Sequence, residues 1–304
     1  MAGIRGAIQI GAGRGWLTRR LGALARSMPW SLPEWSQAPV APLAAHPACP
    51  ILAGSDHVVA GVRLNVVTYG HDTGRPPVLF VHGVPGDAQM WDGVLRDLRH
   101  ELRMVAVDLA GLGRSEHPRG RVDLAAQANL LVALLDDLGV ADRCVLVGHD
   151  LGGAVSVLLA GLVPDRVAGL VLISSPVHAD VWPPDDLVPL LVPGLRSGLA
   201  RRRRRRNGLD QGLVEILRSV DMPTVEAVWE MLRCAPPPAL VLWGEDDTRF
   251  STAYGRRLAG DLSGSAWVPV SGAGHLLPWE RPERVAEEIS GFVADLPGVR
   301  RSRR

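Results

Sequence analysis

The amino-acid sequence predicts an α/β fold with a mostly parallel eight-stranded sheet, helices on both faces and a small helical lid inserted after the sixth strand. Two observations carry this prediction. Short runs of Val, Leu and Ile recur along the chain, and such runs are typical of strands buried on both faces. Segments with apolar residues at helical spacing separate the runs, and strands that alternate with helices build parallel sheets.

The predicted strands are a hairpin followed by six separate runs. The pattern of residues 58–69, "VVAGVRLNVVTY", predicts the hairpin. The later runs cover residues 77–83, 103–109, 144–150, 169–176, 239–247 and 266–275.

Three helices are predicted from spacing and from one proline. Apolar side chains recur on one face at Leu124, Ala128, Leu131, Leu135 and Leu138. Residues 228–234 and 282–293 are the other candidates, and Pro282 suits an early helical position.

Composition divides the chain into a core, a lid and two basic ends. We expect residues 51–176 and 239–298 to form the core, with 177–238 as the lid between them. The lid interval is too long for an ordinary loop and has helical patterns of its own. Residues 1–50 are a basic extension rich in Pro and Gly, and 299–304 are a basic tail.

Arginine-rich segments leave two interpretations open. Residues 1–33 contain no acid, so they could lie on a membrane surface and give weak peripheral contact. Their many glycines favour a tail without a stable helix, and no signal-peptide pattern is present. The run of arginines at 201–206 predicts a solvated turn, with binding of an anionic lipid or substrate as the alternative.

Composition also excludes several functional classes. The net charge of +1 does not indicate nucleic-acid binding. The absence of lysine rules out Schiff-base chemistry and a phosphate-loop lysine. The 3 scattered cysteines indicate a reducing compartment, so we expect a cytoplasmic protein. We expect no metal or cofactor, because the histidines and acids form no ligand cluster, and no membrane span, because no apolar stretch reaches about 18 residues.

The stretch "CVLVGHDLGG", residues 144–153, places an acid at a sharp turn. A strand that enters a helix directly through glycine-flanked residues predicts a strained elbow with Asp150 at its tip. A plain helix cap is the alternative reading of Asp150. An acid and a histidine follow in order after later strands: Asp247, with Asp246 as its alternative, and His275. Nucleophile, acid and base are therefore predicted in that order.

Residues 80–91, "FVHGVPGDAQMW", predict the remaining part of a site. Gly83 allows a sharp turn after a strand, so that the N–H of Val84 can face the elbow. Together with the N–H of Leu151 it would form an oxyanion hole. A cis bond before Pro85 is a further expectation.

The chain resembles the α/β-hydrolase superfamily, and within it the epoxide hydrolases and haloalkane dehalogenases that use an aspartate nucleophile. The resemblance covers roughly residues 58–296 and rests on "HGVP" at 82–85, "DLAGLGRS" at 108–115, Asp150, Asp247 and His275. It implies a cofactor-independent hydrolase. A carboxylate displaces a leaving group from an alkyl carbon, and His275 then activates water against the resulting ester.

The chain departs from both groups in how the leaving group would be held. Epoxide hydrolases protonate the ring oxygen with two lid tyrosines, whereas here the tyrosines are Tyr69 and Tyr254, outside the predicted lid. Haloalkane dehalogenases usually place an indole after the nucleophile, where this chain has Leu151. The residues predicted to bind substrate are His82, Pro85, Trp91, His178, Trp182 and Trp229.

These observations leave three functions open. The first is an epoxide-hydrolase-like enzyme that acts on a small hydrophobic substrate with water. The second is a haloalkane-dehalogenase-like hydrolase. The third, of another class, is a non-catalytic binding protein that keeps the fold.

Overall fold

The computed structural model describes residues 54–120, 122–140, 143–185, 187–191 and 211–297. The predictions for the N-terminal extension, the 201–206 arginine run and the basic tail lie outside these residues.

The core is one eight-stranded sheet, as predicted. The strands are β1 (Ser55–Val59), β2 (Val62–Tyr69), β3 (Val78–Val81), β4 (Met104–Val107), β5 (Cys144–His149), β6 (Val167–Ile173), β7 (Ala239–Gly244) and β8 (Ala266–Val270). Their order across the sheet is β1-β2-β4-β3-β5-β6-β7-β8. Strand β2 is antiparallel to β1 and β4, and the other neighbours are parallel.

The hairpin begins earlier than predicted and turns at Ala60 and Gly61. Both turn residues have positive φ angles, 48° and 78°. Two successive left-handed residues form the turn whose twist matches that of the flanking strands. The pattern of residues 58–69 therefore predicted the hairpin correctly, although the first strand of the hairpin begins at Ser55.

The described α-helices connect the strands along the chain or, in the case of the last two, follow β8. They are α1 (Asp92–Leu98), α2 (Leu124–Asp137), α3 (Leu151–Leu162), α4 (Val188–Leu191), α5 (Gln211–Ser219), α6 (Met222–Cys234), α7 (Thr252–Asp261), α8 (Leu277–Glu280) and α9 (Pro282–Asp295). The predicted face of α2 is buried from Leu124 to Leu135, and Asp123 caps the helix by accepting the Ala126 N–H at 2.9 Å. Helix α9 begins at Pro282, as predicted.

Helices cover both faces of the sheet with two separate apolar layers. Side chains alternate across β6, so Leu170 and Leu172 join one layer while Val171 and Ile173 join the other. The first layer includes residues of α2, α3, α6 and α7, and the second includes residues of α1 and α9. Because parallel strands end at the same edge of the sheet, the loops that follow them can meet there to form a site.

Helices α4, α5 and α6 fall within the segment predicted as the lid. Helix α6 packs closely on α3, since a Cβ added at Gly161 would lie 2.4 Å from Val228 Cγ1. Among the described residues, no helix has the length and apolar character needed to cross a membrane.

Candidate active site

Asp150 occupies the turn between β5 and α3. Its φ of 50° and ψ of −127° lie outside the regions that L-residues favour. A hydrogen bond fixes the turn to the neighbouring strand β6, because the Asp150 N–H donates to the Ile173 carbonyl at 3.1 Å. The chain therefore makes the strained strand-to-helix elbow that the glycine pattern predicts.

The glycines of this elbow are required by close packing. A Cβ at Gly152 would lie 2.2 Å from the Val81 carbonyl oxygen, and one at Gly148 would lie 2.4 Å from the Gly153 Cα. Such distances leave no room for a side chain. Because these glycines have no side chain, α3 can begin next to the end of β3.

The two oxygens of the Asp150 carboxylate have different surroundings. Oδ2 accepts the backbone N–H of Val84 at 3.0 Å. Oδ1 is buried and has no hydrogen-bond partner among the described residues. Leu151 is the first residue of α3, and the first N–H groups of a helix have no partner within the helix. The Val84–Pro85 bond is cis, as expected from the sequence.

His275 lies between the two acids. Its Nδ1 is 3.1 Å from Asp247 Oδ2, and its Nε2 is 3.8 Å from Asp150 Oδ1. Because a carboxylate only accepts hydrogen bonds, Nδ1 carries the proton and the lone pair of Nε2 is directed toward Asp150. Asp246, the alternative acid, is exposed and makes no such contact. The arrangement allows Nε2 to take a proton from a molecule placed beside Asp150.

Asp247 is anchored by the chain that follows it. Its Oδ1 accepts the N–H groups of Arg249 at 2.8 Å and Phe250 at 2.9 Å. Burial alone would raise the pKa of Asp247, but the His275 hydrogen bond, the His275 charge and these two N–H groups together lower it below the ordinary value. The carboxylate therefore stays ionised and can orient the imidazole.

His149 contacts both the backbone and the ring of His275. Its Nε2 is 2.7 Å from the His275 carbonyl oxygen, so Nε2 carries the proton, and the ring centroids are 5.0 Å apart. Burial, followed by the charge of His275, lowers the pKa of His149 to about 4. No local pattern in the sequence marks this role, because the acceptor lies 126 positions away in the chain.

His82 does not have the role predicted for it. The prediction assigned His82 to substrate binding, but its Nδ1 is 2.8 Å from the Gly83 carbonyl oxygen and its Nε2 accepts the Leu109 N–H at 2.9 Å. Backbone groups therefore occupy both ring nitrogens of this fully buried side chain, so neither remains for a substrate.

His178 and Trp229, also predicted to bind substrate, both contact Asp261. His178 Nε2 is 2.9 Å from Asp261 Oδ2, and Trp229 Nε1 donates to the same oxygen at 3.3 Å. Tyr254 completes the group with its hydroxyl 3.2 Å from His178 Nδ1. Burial and the charge of Arg257 lower the pKa of His178. These polar atoms join the predicted lid to α7, so the two predicted substrate contacts are used for packing.

The remaining predicted substrate contacts differ from one another. Trp182 is fully buried in the same apolar layer as Val84 and Leu151, and its Nε1 has no partner among the described residues. Trp91 lies in the opposite layer, with its ring centroid 5.1 Å from that of Phe80. Pro85 is exposed. Of these three side chains, Trp182 remains the best candidate to meet a substrate.

Comparisons with known proteins agree with this architecture. A family model described as alpha/beta hydrolase fold matches residues 76–211. The dihydrolipoyllysine-residue acetyltransferase component of the acetoin cleaving system of Pseudomonas putida is 32% identical over 257 residues, which are 77% of this chain and 68% of that protein.

Two further similarities concern an epoxide hydrolase and an esterase. Epoxide hydrolase 4 of Mus musculus is 36% identical over 127 residues, covering 40% of this chain and 34% of that protein. A thermophilic esterase from Thermogutta terrifontis has a similar structure, with a TM-score of 0.63, 25% identity, and coverage of 79% of this chain and 97% of the esterase. The chain belongs to the α/β-hydrolase family and is a hydrolase of that family, with an epoxide hydrolase among its relatives.

Proposed function

We propose that this hydrolase cleaves a C–O or C–halogen bond through a covalent alkyl ester on Asp150, with epoxides as the first substrate class. The observation that carries the proposal is the Asp150 carboxylate, which has Oδ2 held by the Val84 N–H and Oδ1 unpaired and facing His275. A carboxylate suits attack on a saturated carbon, whereas its attack on a carbonyl would give an anhydride.

The first step uses the unpaired oxygen. Asp150 Oδ1 attacks the alkyl carbon, and the carbon–leaving-group bond breaks with its electron pair going to the leaving atom. A halide departs as the anion, whereas an epoxide oxygen stays attached through the neighbouring carbon and takes a proton from water. The product is an ester whose carbonyl oxygen is Oδ2, because Val84 already holds that atom. The ground-state hydrogen bond therefore selects which oxygen reacts.

The second step regenerates the carboxylate. His275 Nε2 takes a proton from water, and the resulting hydroxide attacks the ester carbon of Asp150. Negative charge then develops on Oδ2, where the N–H groups of Val84 and Leu151 can stabilise it by about 3 kcal/mol each. The ionised Asp247 stabilises the imidazolium formed on His275. Collapse of the intermediate breaks the ester bond, releases the alcohol and returns the proton.

The leaving group distinguishes two candidate substrates. An epoxide oxygen needs a proton donor. The Tyr254 hydroxyl is already engaged elsewhere, because it accepts the Val177 N–H at 2.8 Å and lies 3.2 Å from His178 Nδ1. A halide needs no proton, and an unpaired indole N–H can hold it. The buried and unpartnered Nε1 of Trp182 therefore favours a haloalkane-dehalogenase-like activity as the second candidate. In either case residues 177–238 would act as the lid over a small hydrophobic substrate.

The experiment is to trap the ester. His275→Gln removes the base, so the ester on Asp150 should accumulate when the protein is incubated with a panel of terminal epoxides or of 1-bromoalkanes. Intact-protein mass spectrometry separates the two classes: an epoxide adds its whole mass, whereas a bromoalkane adds its alkyl group in place of one hydrogen. The double variant His275→Gln, Asp150→Asn is the matched control and should remain unmodified.

A label experiment tests the second step. After several turnovers of the wild type in heavy-oxygen water, the Asp150 peptide should carry label, because water attacks the ester carbon. Label confined to the product would indicate direct attack of water on the substrate and would contradict the proposal. If neither panel modifies His275→Gln and the wild type turns over neither, the non-catalytic binding protein becomes the better account.

A further inference from the structure

The peptide that joins Gly83 to Val84 is held at both of its polar ends. Its N–H, on Val84, donates to Asp150 Oδ2 at 3.0 Å. Its carbonyl oxygen, on Gly83, lies 2.8 Å from His82 Nδ1. Because both groups belong to one planar unit, whatever orients the carbonyl also orients the N–H.

The bonding partners of His82 determine which nitrogen carries its proton. Nε2 accepts the Leu109 N–H at 2.9 Å, so Nε2 carries a lone pair. A carbonyl oxygen only accepts, so Nδ1 carries the proton and donates it to the Gly83 oxygen. The ring is fully buried, and no other partner competes for it among the described residues. It is therefore a directional link between the loop after β4 and the Gly83–Val84 peptide.

The Leu109 N–H is itself held in place by the preceding residue. The buried Asp108 carboxylate accepts the N–H groups of Ala88 at 2.7 Å and Arg114 at 2.8 Å and the Asn65 side-chain amide at 2.9 Å. These bonds join β2, the loop after β3 and the loop after β4. The donor that sets the tautomer of His82 thus comes from a rigid backbone.

We propose that His82 is a positioning residue for the oxyanion hole: it aims the Val84 N–H at Asp150 Oδ2 by holding the other end of the same peptide. This inference rests on the proposed alkyl-ester mechanism. Charge on the carboxylate falls while Oδ1 is alkylated, whereas charge on Oδ2 grows while water attacks the ester. Correct aim of Val84 therefore matters mainly for ester hydrolysis.

Two substitutions separate the two bonds of His82. In a similar rotamer, the amide nitrogen of His82→Asn reaches the place of Nδ1, so it can still donate to Gly83 but cannot accept from Leu109. The amide oxygen of His82→Gln reaches the place of Nε2, so it can accept from Leu109 but leaves the Gly83 oxygen without its donor. Both variants are polar and of similar size, so a general loss of packing should affect them alike.

The kinetic test follows the covalent adduct during a single turnover, using the epoxide or bromoalkane that the wild type turns over fastest. Loss of one oxyanion donor typically costs about 10²- to 10³-fold, so a misaligned donor should slow ester hydrolysis by about 10- to 100-fold in His82→Gln. Alkylation should stay close to wild type, so the adduct accumulates. His82→Asn should recover most of the hydrolysis rate. Equal slowing in both variants, or slowing of alkylation alone, would overturn the inference.

A second measurement needs no substrate. Nitrogen-15 spectra of full-length protein labelled at histidine and valine should show the His82 proton on Nδ1. The amide resonance of Val84 should move further in His82→Gln than in His82→Asn. A proton found on Nε2 contradicts the inference, whatever the activity. Failure of the wild type to form any adduct would instead remove the proposed mechanism while leaving this geometric result intact, so the two failures can be told apart.

Discussion

Acidification should destabilise the protein through His149. This side chain is buried, and its pKa of about 4 lies below the ordinary value of 6.5. Between those two pH values the unfolded chain binds a proton that the folded chain does not. The stabilisation is therefore complete above pH 6.5 and is lost as the pH falls toward 4. At about 1.4 kcal/mol per pH unit, the loss from this residue is about 3 kcal/mol.

The measurement compares urea unfolding of the wild type and His149→Gln at several pH values from 7.5 to 4. The glutamine amide keeps a donor for the His275 carbonyl but has no titrating group. The free energy of unfolding should therefore fall by about 3 kcal/mol less in the variant than in the wild type over this range. His178, whose pKa burial and Arg257 also lower, is present in both proteins, so its contribution cancels in the comparison.

The control for this experiment is His100→Gln, which removes an exposed imidazole and should keep the wild-type profile. Equal loss of stability in the wild type and His149→Gln would refute the reasoning. It would mean that His149 is solvated, or is already protonated, in the folded protein.

Three further outcomes are expected. Gly152→Ala should cost about 3 kcal/mol in urea unfolding, because the new Cβ would lie 2.2 Å from the Val81 carbonyl oxygen; an unchanged midpoint would show that the elbow can relax. Asp108→Asn should cost about 2–3 kcal/mol by the same measurement, because an amide group cannot accept both the Ala88 N–H and the other bonds; wild-type stability would contradict this. Asp247→Asn should slow hydrolysis of the Asp150 ester by on the order of 10²- to 10⁴-fold in single-turnover experiments, and a rate near wild type would assign the acid elsewhere.

The strands were the most predictable part of the fold. The run from Cys144 to His149 is a strand almost as predicted, because a buried parallel strand must be apolar on both sides. Helix α1 and the start of the hairpin were not predicted. Residues of the first strand such as Ser55 and Asp56 are exposed at the sheet edge, where burial does not select an apolar pattern.

The candidate site was predictable in its chain order and less so in its side-chain contacts. The elbow at Asp150 has a local cause in its glycines, and the structure shows it. His178 and Trp229 were expected to meet a substrate, yet both contact Asp261. Their spacing in the chain contains no information about a carboxylate that approaches from α7.

The parallel sheet, the sharp turn at Asp150, and an acid and a histidine after later strands were all predictable from local patterns, because burial and backbone sterics act on residues close together in the chain. That Asp247, rather than Asp246, faces His275 and that His82 contacts a backbone peptide became visible only in the folded chain. Hydrogen bonds depend on the direction of side chains brought together from distant segments, and that direction exists only once the chain has folded.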